Sequence, residues 1–199
     1  MASRILILLA HPTLEKSRVH ARLVHEAAAV EGVTVHDLYQ EYPDFDVAVE
    51  REKALLLKHD VIIWQHPFYW YSGPPLLKQW IDLVLEHGWA YGKTGKQLEG
   101  KKIFNVLSTG GQFGSYQPGH LNRYDIPQFL LPFDQTAVLC NMEYWPPFVI
   151  NGTHLLENHD IDTQAQQFGE LLRGLAVGEW PDALVSGLTY MNELFTRHA

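Results

Sequence analysis

Residues 61–75 read VIIWQHPFYWYSGPP, a short apolar run followed by four consecutive bulky aromatic residues and then two prolines. The apolar run is typical of a strand buried on both faces of a parallel sheet, and the prolines suit the first turn of a helix. Phe68 to Tyr71 therefore fall in the loop that joins a strand to a helix. Ligands of open α/β sheets bind outside the carboxyl ends of the strands. This loop predicts one wall of a slot for a flat ligand, and the alternative is that its rings only cover the core.

The rest of the chain repeats this alternation of strand and helix. Apolar runs predict strands at Ile5–Leu9, Val33–Leu38, Val61–Trp64, Ile103–Leu107 and Tyr144–Ile150. Helical spacing predicts helices near residues 20–32, 49–58, 74–87, 132–141 and 162–175, and a helical tail over 178–199. The pattern predicts an α/β three-layer sandwich, with a five-stranded parallel sheet and helices on both faces. Pro146 and Pro147 cannot donate to a ladder, which places the last strand at a sheet edge.

Length, amino-acid composition and net charge limit the classes of protein to which the chain can belong. The 199 residues suit one domain, or one domain with an appendage, and 46% hydrophobic with 19% charged residues is ordinary globular composition. The formal net charge of −8 argues against a nucleic-acid partner. Cys140 is the only cysteine, so we expect no internal disulfide, no thiolate metal cluster and a reducing compartment.

The amino-terminal apolar run does not read as a signal peptide or an anchor. Ile5–Leu9 is too short, and His11-Pro12 ends the run without a small-residue cleavage site. Nowhere does the sequence reach the roughly 20 apolar residues of a spanning helix. We therefore expect a soluble, cytoplasmic protein.

Two further loops follow predicted strands and offer groups that a flavin would use. Residues 11–20 supply hydroxyl and imidazole groups and then open a helix, whose free N–H groups favour a phosphate. The alternative is an ordinary helix cap by Ser17. Residues 108–111 carry two hydroxyls and two glycines, so their backbone can approach a ring edge; a plain turn is the alternative. Together the three loops predict a flat ring with its phosphate on a helix start.

Motifs typical of other enzyme classes are either incomplete or absent in the sequence. Residues 95–101 resemble the start of a P-loop, but Lys102 replaces the required Ser or Thr and the segment precedes a strand. Gly-x-Ser-x-Gly, the hydrolase nucleophile motif, does not occur. Eleven histidines form no His-Glu-x-x-His or comparable pair, so we expect no metal site. Cys140 lies in an apolar helical stretch and is expected to be a core residue.

Several long segments of the sequence resemble flavodoxin-like NAD(P)H:quinone oxidoreductases. The resemblance is carried by Ala10-His11-Pro12, Asp37-Leu38-Tyr39, Tyr42-Pro43-Asp44-Phe45, residues 65–82, His87-Gly88-Trp89-Ala90-Tyr91-Gly92, Thr109-Gly110-Gly111 and Pro146-Pro147-Phe148. Within this family the chain looks most like the ancillary oxidoreductase subunits of glutathione-regulated potassium efflux systems. The resemblance covers about residues 4–175. It implies a flavodoxin-like, flavin-binding domain over residues 1–175 and a helical carboxyl-terminal tail over 176–199.

The resemblance also implies roles for individual residues. The residues matching the family's phosphate site are His11, Ser17, Arg18, Val19 and His20; related ancillary subunits often have Asn at the position of His20. Those matching the lining of the flavin ring are Phe68, Tyr69, Trp70 and Tyr71, and those at its polar edge are Ser108, Thr109, Gly110 and Gly111. Tyr116 and His120 match catalytic donors, and Trp89 and Tyr91 are expected to reach the partner subunit's pocket.

The expected activity follows from the same resemblance. It implies a bound FMN, with FAD as the alternative, and two-electron transfer of a hydride from NAD(P)H through the flavin to a quinone or similar planar acceptor. It also implies a homodimer with each active site at the subunit boundary. A rival role is a regulatory subunit that docks on a potassium efflux transporter and gates it, at the cytoplasmic face of the inner membrane. A third possibility is a one-electron carrier like flavodoxin.

Overall fold

A parallel sheet forms the centre of the protein in a computed structural model that describes residues 3–196. Its strands are β1 (Ile5–Leu9), β2 (Val33–Asp37), β3 (Val61–Pro67), β4 (Lys102–Ser108), β5 (Glu143–Tyr144) and β6 (Phe148–Ile150). The strand order is β2-β1-β3-β4-β5, and β6 pairs with β4 beyond β5. Every pair is parallel, with Ile7 opposite Val35 on one side and Ile63 on the other. This is the order of flavodoxin-like doubly wound sheets.

Helices cover both faces of the sheet. They are α1 (His20–Ala28), α2 (Leu38–Glu41), α3 (Val49–Leu57), α4 (Pro75–Val84), α5 (Ile126–Phe129), α6 (Leu131–Leu139), α7 (Asn158–Val177), α8 (Asp182–Val185) and α9 (Glu193–Thr196). Short 3-10 turns occur at Leu14–Lys16 and Phe113–Ser115. Within residues 3–196, no helix combines the length and the apolar character that a membrane span requires.

The alternation of side chains along the strands produces two cores. Leu8 and Trp64 point to the face covered by α3, α4 and α6, where they meet Trp80. Ile7 and Ile63 point to the opposite face, where α1 and α7 cover them. Both sets are fully buried, as expected for strands of a central parallel sheet. The predicted three-layer sandwich with helices on both faces is confirmed.

The structure differs from the predicted elements at the last strand. A single strand over Tyr144–Ile150 was expected, but β5 and β6 are separate and residues 145–147 interrupt them. Pro146 and Pro147 have no N–H to donate, so the ladder to β4 breaks at these residues and resumes at Phe148. The fifth position in the sheet is therefore filled by two short strands.

The carboxyl-terminal segment packs against the α1 and α7 face. α7 runs through the predicted boundary at residue 175 and ends at Val177. Beyond it, only the one-turn helices α8 and α9 form, so the expected helical tail is mostly irregular up to residue 196; Met1, Ala2 and residues 197–199 lie outside the described part. Met191 is fully buried, and its backbone N–H donates to the Pro147 carbonyl over 2.9 Å. Asn192 Oδ1 accepts from the Val149 N–H over 2.8 Å, and its Nδ2 donates to the Val149 carbonyl over 3.1 Å.

A buried carboxylate joins the elements beside β2. Glu52, on α3, is fully buried and accepts hydrogen bonds from His36 Nε2 at 2.9 Å, the Tyr42 hydroxyl at 2.5 Å and Trp80 Nε1 at 2.7 Å. Burial raises the pKa of Glu52, but these hydrogen bonds together lower it below its ordinary value. The ionised carboxylate thus ties β2, α3 and α4 together.

Cys140 is the buried free thiol expected from the sequence. It lies just after α6, in the core beneath α4 and α6. Burial raises the pKa of this thiol to about 11, so it stays protonated at neutral pH.

Candidate functional site

A cavity of about 470 Å³ opens at the carboxyl edge of the sheet, where the loops after β1, β3, β4 and β6 meet. Its lining residues are His11, Thr13, Lys16, Ser17, Arg18, Val19, Pro67, Phe68, Tyr69, Ser108, Gly110, Thr153 and His154. The size lies within the range of small-molecule and cofactor sites, and the position is the β1/β3 switch point where such sheets bind ligands.

One end of the cavity, called the anion end below, carries backbone N–H groups that are unpaired in the described part of the chain. α1 begins there, and the His20 N–H donates to Ser17 Oγ over 3.0 Å. The backbone N–H groups of Arg18 and Val19 have no acceptor within residues 3–196. Unpaired N–H groups at a helix start, together with the helix dipole, are the usual binding site for a phosphate. The loop therefore brings Ser17, Arg18 and Val19, three of the predicted phosphate-site residues, to one end of the cavity.

The guanidinium of Arg18 points to the helix α7 side. Its NH2 group donates to the Leu156 carbonyl at 2.9 Å and to Asn158 Oδ1 at 3.2 Å. Arg22 reaches the same Asn158 oxygen at 3.2 Å and pairs with Asp162 at 2.5 Å. Arg18 thus fixes the loop after β6 against the loop after β1, and its free backbone N–H faces the anion end.

The two histidines of this end have different surroundings. His11 lines the cavity, and its Nδ1 accepts a hydrogen bond from the Thr13 N–H over 3.2 Å. His20 is 1% exposed and lies behind Ser108, with its ring 5.2 Å from that of His11. Burial lowers the pKa of both imidazoles, more strongly for His20. Both rings are therefore neutral at pH 7, and only His11 has access to a ligand.

The aromatic segment after β3 divides into two pairs. Phe68 and Tyr69 line the large cavity. Trp70 and Tyr71 have positive φ angles of 48° and 64°, and the Ser72 N–H donates to the Tyr69 carbonyl over 3.0 Å. Two positive φ angles at the centre of a tight hairpin are those of a type I′ turn, which favours Asn-Gly and strains bulky residues.

This turn carries Trp70 and Tyr71 away from the large cavity. Trp70 is 93% exposed. Tyr71 stacks on Phe129, with ring centroids 5.1 Å apart, and lines a neighbouring cavity of about 190 Å³ together with Phe68, Trp70, Tyr116 and Asn122. Phe68 therefore contributes to both cavities. Of the four predicted ring-lining residues, only Phe68 and Tyr69 face the cavity that has the anion end.

The loop after β4 forms a close backbone edge. The Thr109 hydroxyl donates to the Gly111 carbonyl over 2.7 Å, and the Gly111 carbonyl also accepts from the Gly152 N–H over 2.8 Å. A Cβ on Gly110 would lie 2.9 Å from His154 Nε2, and one on Gly111 would lie 3.0 Å from the Tyr116 ring. A side chain at either glycine would require one of these neighbours to move. Ser108 and Gly110 line the large cavity, whereas buried Thr109 holds the loop in place.

The predicted catalytic residues are placed differently. The Tyr116 ring is buried between Gly111 and Phe68, at 5.9 Å from the Phe68 centroid. His120 is exposed on the same loop and lines neither cavity. Trp89 and Tyr91 follow α4 and also lie outside both cavities; Lys53 Nζ sits 5.4 Å from the Trp89 ring. A single chain therefore brings Tyr116 to the smaller cavity beside Phe68 and leaves the other three outside both cavities.

Sequence reasoning missed part of the cavity wall. Thr153 and His154 follow β6, and the Thr153 N–H donates to the Thr109 carbonyl over 3.0 Å. The strand-end rule that selected the other loops applies equally to β6 and would have found them. Thr13 and Lys16, in the first loop, lie beside residues that were selected.

Curated proteins similar to this chain share nearly its whole length. General stress protein 14 of Bacillus subtilis (strain 168) is 42% identical over 170 residues, which are 85% of this chain and 97% of the relative. The glutathione-regulated potassium-efflux system ancillary protein KefF of Klebsiella aerogenes is 39% identical over 183 residues, 92% of this chain and 99% of the relative. The uncharacterized NAD(P)H oxidoreductase YrkL of Bacillus subtilis is 41% identical over 85% of this chain and 98% of its own length.

Solved structures show the same fold at comparable identity. A general stress protein 14 from Treponema denticola in complex with FMN is 38% identical, with a TM-score of 0.82, and the match covers 86% of this chain and 99% of that one. A protein described as a thermophilic tryptophan halogenase from Streptomycin violaceusniger is 41% identical, with a TM-score of 0.81 and coverage of 83% and 96%. An NADPH-quinone reductase from P. pentosaceus is 32% identical, with a TM-score of 0.77 and coverage of 85% and 97%.

The fold, the position of the cavity and the similar proteins all indicate one family. The strand order, the cavity at the β1/β3 switch point and the relatives all agree with the resemblance stated from the sequence. The family model described as flavodoxin-like fold matches residues 3–172, and the chain belongs to this family.

Proposed function

We propose that the protein is an FMN-dependent NAD(P)H:quinone oxidoreductase. One observation carries the proposal: an anion end, an aromatic wall and a close glycine edge surround a single cavity at the switch point. Relatives support it, because a 38% identical protein was solved with FMN and a 32% identical one is described as an NADPH-quinone reductase. A relative that is 41% identical carries the name NAD(P)H oxidoreductase.

The residues present fit FMN. The free N–H groups of Arg18 and Val19 would hold its phosphate, and Phe68 with Tyr69 would lie beside its ring. Gly110 leaves room for a polar ring edge, since a Cβ there would close the gap to His154. FAD carries a second phosphate and an adenosine. The 38% identical relative solved in complex with FMN favours the mononucleotide.

The protein's share of the chemistry is to bind, orient and exclude water. When bound, FMN would accept a hydride from NAD(P)H and donate it to the quinone. Phe68 and Tyr69 keep water from one side of the site and set the plane of a flat ligand. The Tyr116 hydroxyl lies next to Gly111 and would donate a hydrogen bond to an oxygen that gains negative charge. We assign it that role; His120 stays a candidate that a separate variant tests.

A spectroscopic experiment tests the proposal. The purified chain is incubated with FMN, desalted and examined in the visible range, and NAD(P)H and then a quinone are added without oxygen. We expect a yellow protein that loses its colour with NAD(P)H and regains it with the quinone. A protein that retains neither FMN nor FAD contradicts the proposal, and one that is bleached but not reoxidised by quinones restricts it to another acceptor.

We also propose that the protein is a homodimer. Trp70 is 93% exposed in a strained turn next to the site, and Trp89 and Tyr91 lie outside their own chain's cavities. A large exposed aromatic residue beside a site is typical of an interface. Light scattering coupled to size exclusion should give twice the chain mass and, for Trp70→Asn, a shift towards the monomer. Val177→Asn, at a 72% exposed position on α7, is the matched control and should leave the mass unchanged.

A second role is supported by a particular relative. The potassium-efflux ancillary protein KefF of Klebsiella aerogenes matches 92% of this chain at 39% identity. We propose that this chain also binds the cytoplasmic part of a potassium efflux antiporter and regulates it. Co-purification with such an antiporter expressed in the same cells is the expected result, and separate elution of the two proteins would leave only the enzymatic role.

A further inference from the structure

His20 is a buried link between the loops after β1 and β4. Its side chain is 1% exposed and does not line the cavity. Nε2 lies 2.9 Å from the Ser108 hydroxyl oxygen, and Ser108 does line the cavity. His20 therefore reaches the cavity indirectly, through its hydrogen bond to Ser108 and its ring contact with His11.

Gln65, on β3, places its amide against the other imidazole nitrogen of His20. Its amide is fully buried, with Nε2 at 3.4 Å from His20 Nδ1, and its Oε1 has no partner within residues 3–196. An amide N–H that points at Nδ1 requires an unprotonated Nδ1 as acceptor. Burial lowers the pKa of His20 well below 6.5, with His11 and His66 adding to the effect, so the ring has one N–H at neutral pH. With the amide in this orientation, that hydrogen is on Nε2.

The direction of the next hydrogen bond follows. His20 Nε2–H donates to Ser108 Oγ, which leaves the hydroxyl hydrogen of Ser108 free to point into the cavity. In the opposite tautomer the ring hydrogen would be on Nδ1, and the Ser108 hydroxyl would donate its hydrogen to Nε2. Ser108 could then act towards a ligand only as an acceptor. FMN presents mainly acceptors, namely phosphate oxygens and ring carbonyl oxygens. A donor at position 108 therefore suits it better than an acceptor.

We propose that His20 is a positioning residue which, oriented by Gln65, makes Ser108 a hydrogen-bond donor to the cofactor. The inference rests on the proposed function, since it takes FMN as the ligand. It revises the expectation from the sequence that His20 itself contacts the phosphate. It also explains how a fully buried imidazole contributes to a site it does not touch.

A double-mutant cycle on FMN affinity tests the link. FMN dissociation constants are measured by flavin fluorescence for wild type, His20→Leu, Ser108→Ala and the double variant. We expect each single variant to bind about ten-fold more weakly, as for the loss of one buried hydrogen bond, and the double variant to be no weaker than Ser108→Ala. Independent losses that multiply in the double variant would overturn the proposal, and so would an unchanged affinity of His20→Leu.

Two further measurements separate positioning from simple structural support. His20→Gln keeps an N–H donor near the Nε2 position and should restore affinity to within about three-fold of wild type, whereas a space-filling role would favour Leu. Nitrogen-15 spectra of the histidine rings in the FMN-free protein should show the Nε2–H tautomer for His20; the Nδ1–H tautomer contradicts the proposal. A wild-type protein that fails to bind FMN removes the proposed function and this inference together, whereas wild-type binding with unaffected His20→Leu removes the inference alone.

Discussion

Gly110 lies close against the His154 side chain in the cavity wall. An added Cβ would lie 2.9 Å from His154 Nε2, closer than such contacts normally come. We expect Gly110→Ala to weaken FMN binding about ten-fold, because His154 must move within the cavity wall. Removing the imidazole in Gly110→Ala/His154→Ala should restore most of the affinity. Gly114→Ala is the control, since a Cβ there meets nothing within 4 Å. Fluorescence titration gives the FMN dissociation constants of wild type and the three variants. Equal losses of FMN affinity in Gly110→Ala and Gly114→Ala would contradict the steric explanation.

Tyr116 and His120 can be separated by single substitutions. Tyr116→Phe keeps the packing against Phe68 and removes only the hydroxyl. We expect turnover with a quinone to fall about ten-fold or more, with unchanged FMN affinity. His120→Ala should stay close to wild type, because the side chain is exposed and lines neither cavity. Steady-state kinetics with each variant decides this, and the reverse pattern would move the catalytic role to His120.

For single residues, the sequence predicts which side chains lie in the loops at the site better than it predicts where each side chain points. His11, Ser17 and Ser108 reach the cavity because they follow strands whose carboxyl ends meet at one edge. The same rule cannot see that Trp70 and Tyr71 adopt positive φ and turn outward, since aromatic residues give no turn signal. Nor can it distinguish His20, held behind Ser108, from a histidine that faces the ligand.

Among the elements, α3 carries the buried carboxylate of Glu52. Glu52→Gln places an amide N–H against donors that now reach the carboxylate from His36, Tyr42 and Trp80. We expect a loss of about 3 kcal/mol in the free energy of unfolding at pH 7. Glu50→Gln is the control: this side chain is 85% exposed, so the loss should stay below about 1 kcal/mol.

The same carboxylate predicts a dependence on pH. The pKa of Glu52 is lower in the folded protein than its ordinary value of 4.5. The ionised carboxylate therefore contributes its full stabilisation above pH 4.5. This contribution to folding stability is lost as the pH falls through the lower pKa of the folded protein. Denaturation with urea at several pH values measures the gap in unfolding free energy between wild type and Glu52→Gln. We expect this gap to narrow below pH 4.5. A gap that is constant or widens there would mean that the carboxylate is not ionised in the fold.

Element boundaries show where sequence patterns stop being informative. β1 has the predicted bounds, because its five residues are all apolar and buried. β3 runs on to Pro67 through Gln65 and His66, which are polar yet fully buried. Asn105 Nδ2 donates to His66 Nε2 over 2.9 Å, and burial lowers the pKa of this histidine to about 4. Such a partner comes from a distant part of the chain, so a local pattern cannot show it.

For the whole molecule, the segment after α7 is part of the core although the family match ends at residue 172. Met191 is fully buried, and we expect Met191→Ala to cost about 3 kcal/mol of unfolding free energy. Leu184→Ala, at a 36% exposed position in the same segment, should cost less than about 1 kcal/mol. Chemical denaturation measures both. Equal small losses would show that the segment is a separable tail, as the predicted division at residue 175 implies.

Asn192 has a consequence for how copies of this protein can meet. Its side-chain amide takes both backbone groups of Val149, the N–H and the carbonyl, on β6. A strand edge with free N–H and carbonyl groups is a template for another chain and a common origin of aggregation. Here a single asparagine substitutes for the missing neighbour strand, so the sheet cannot lengthen by edge-to-edge pairing at Val149. We expect a version of the chain that lacks Asn192 to expose both groups and to associate through the β6 edge, whereas the β2 edge at the other end of the sheet is unaffected.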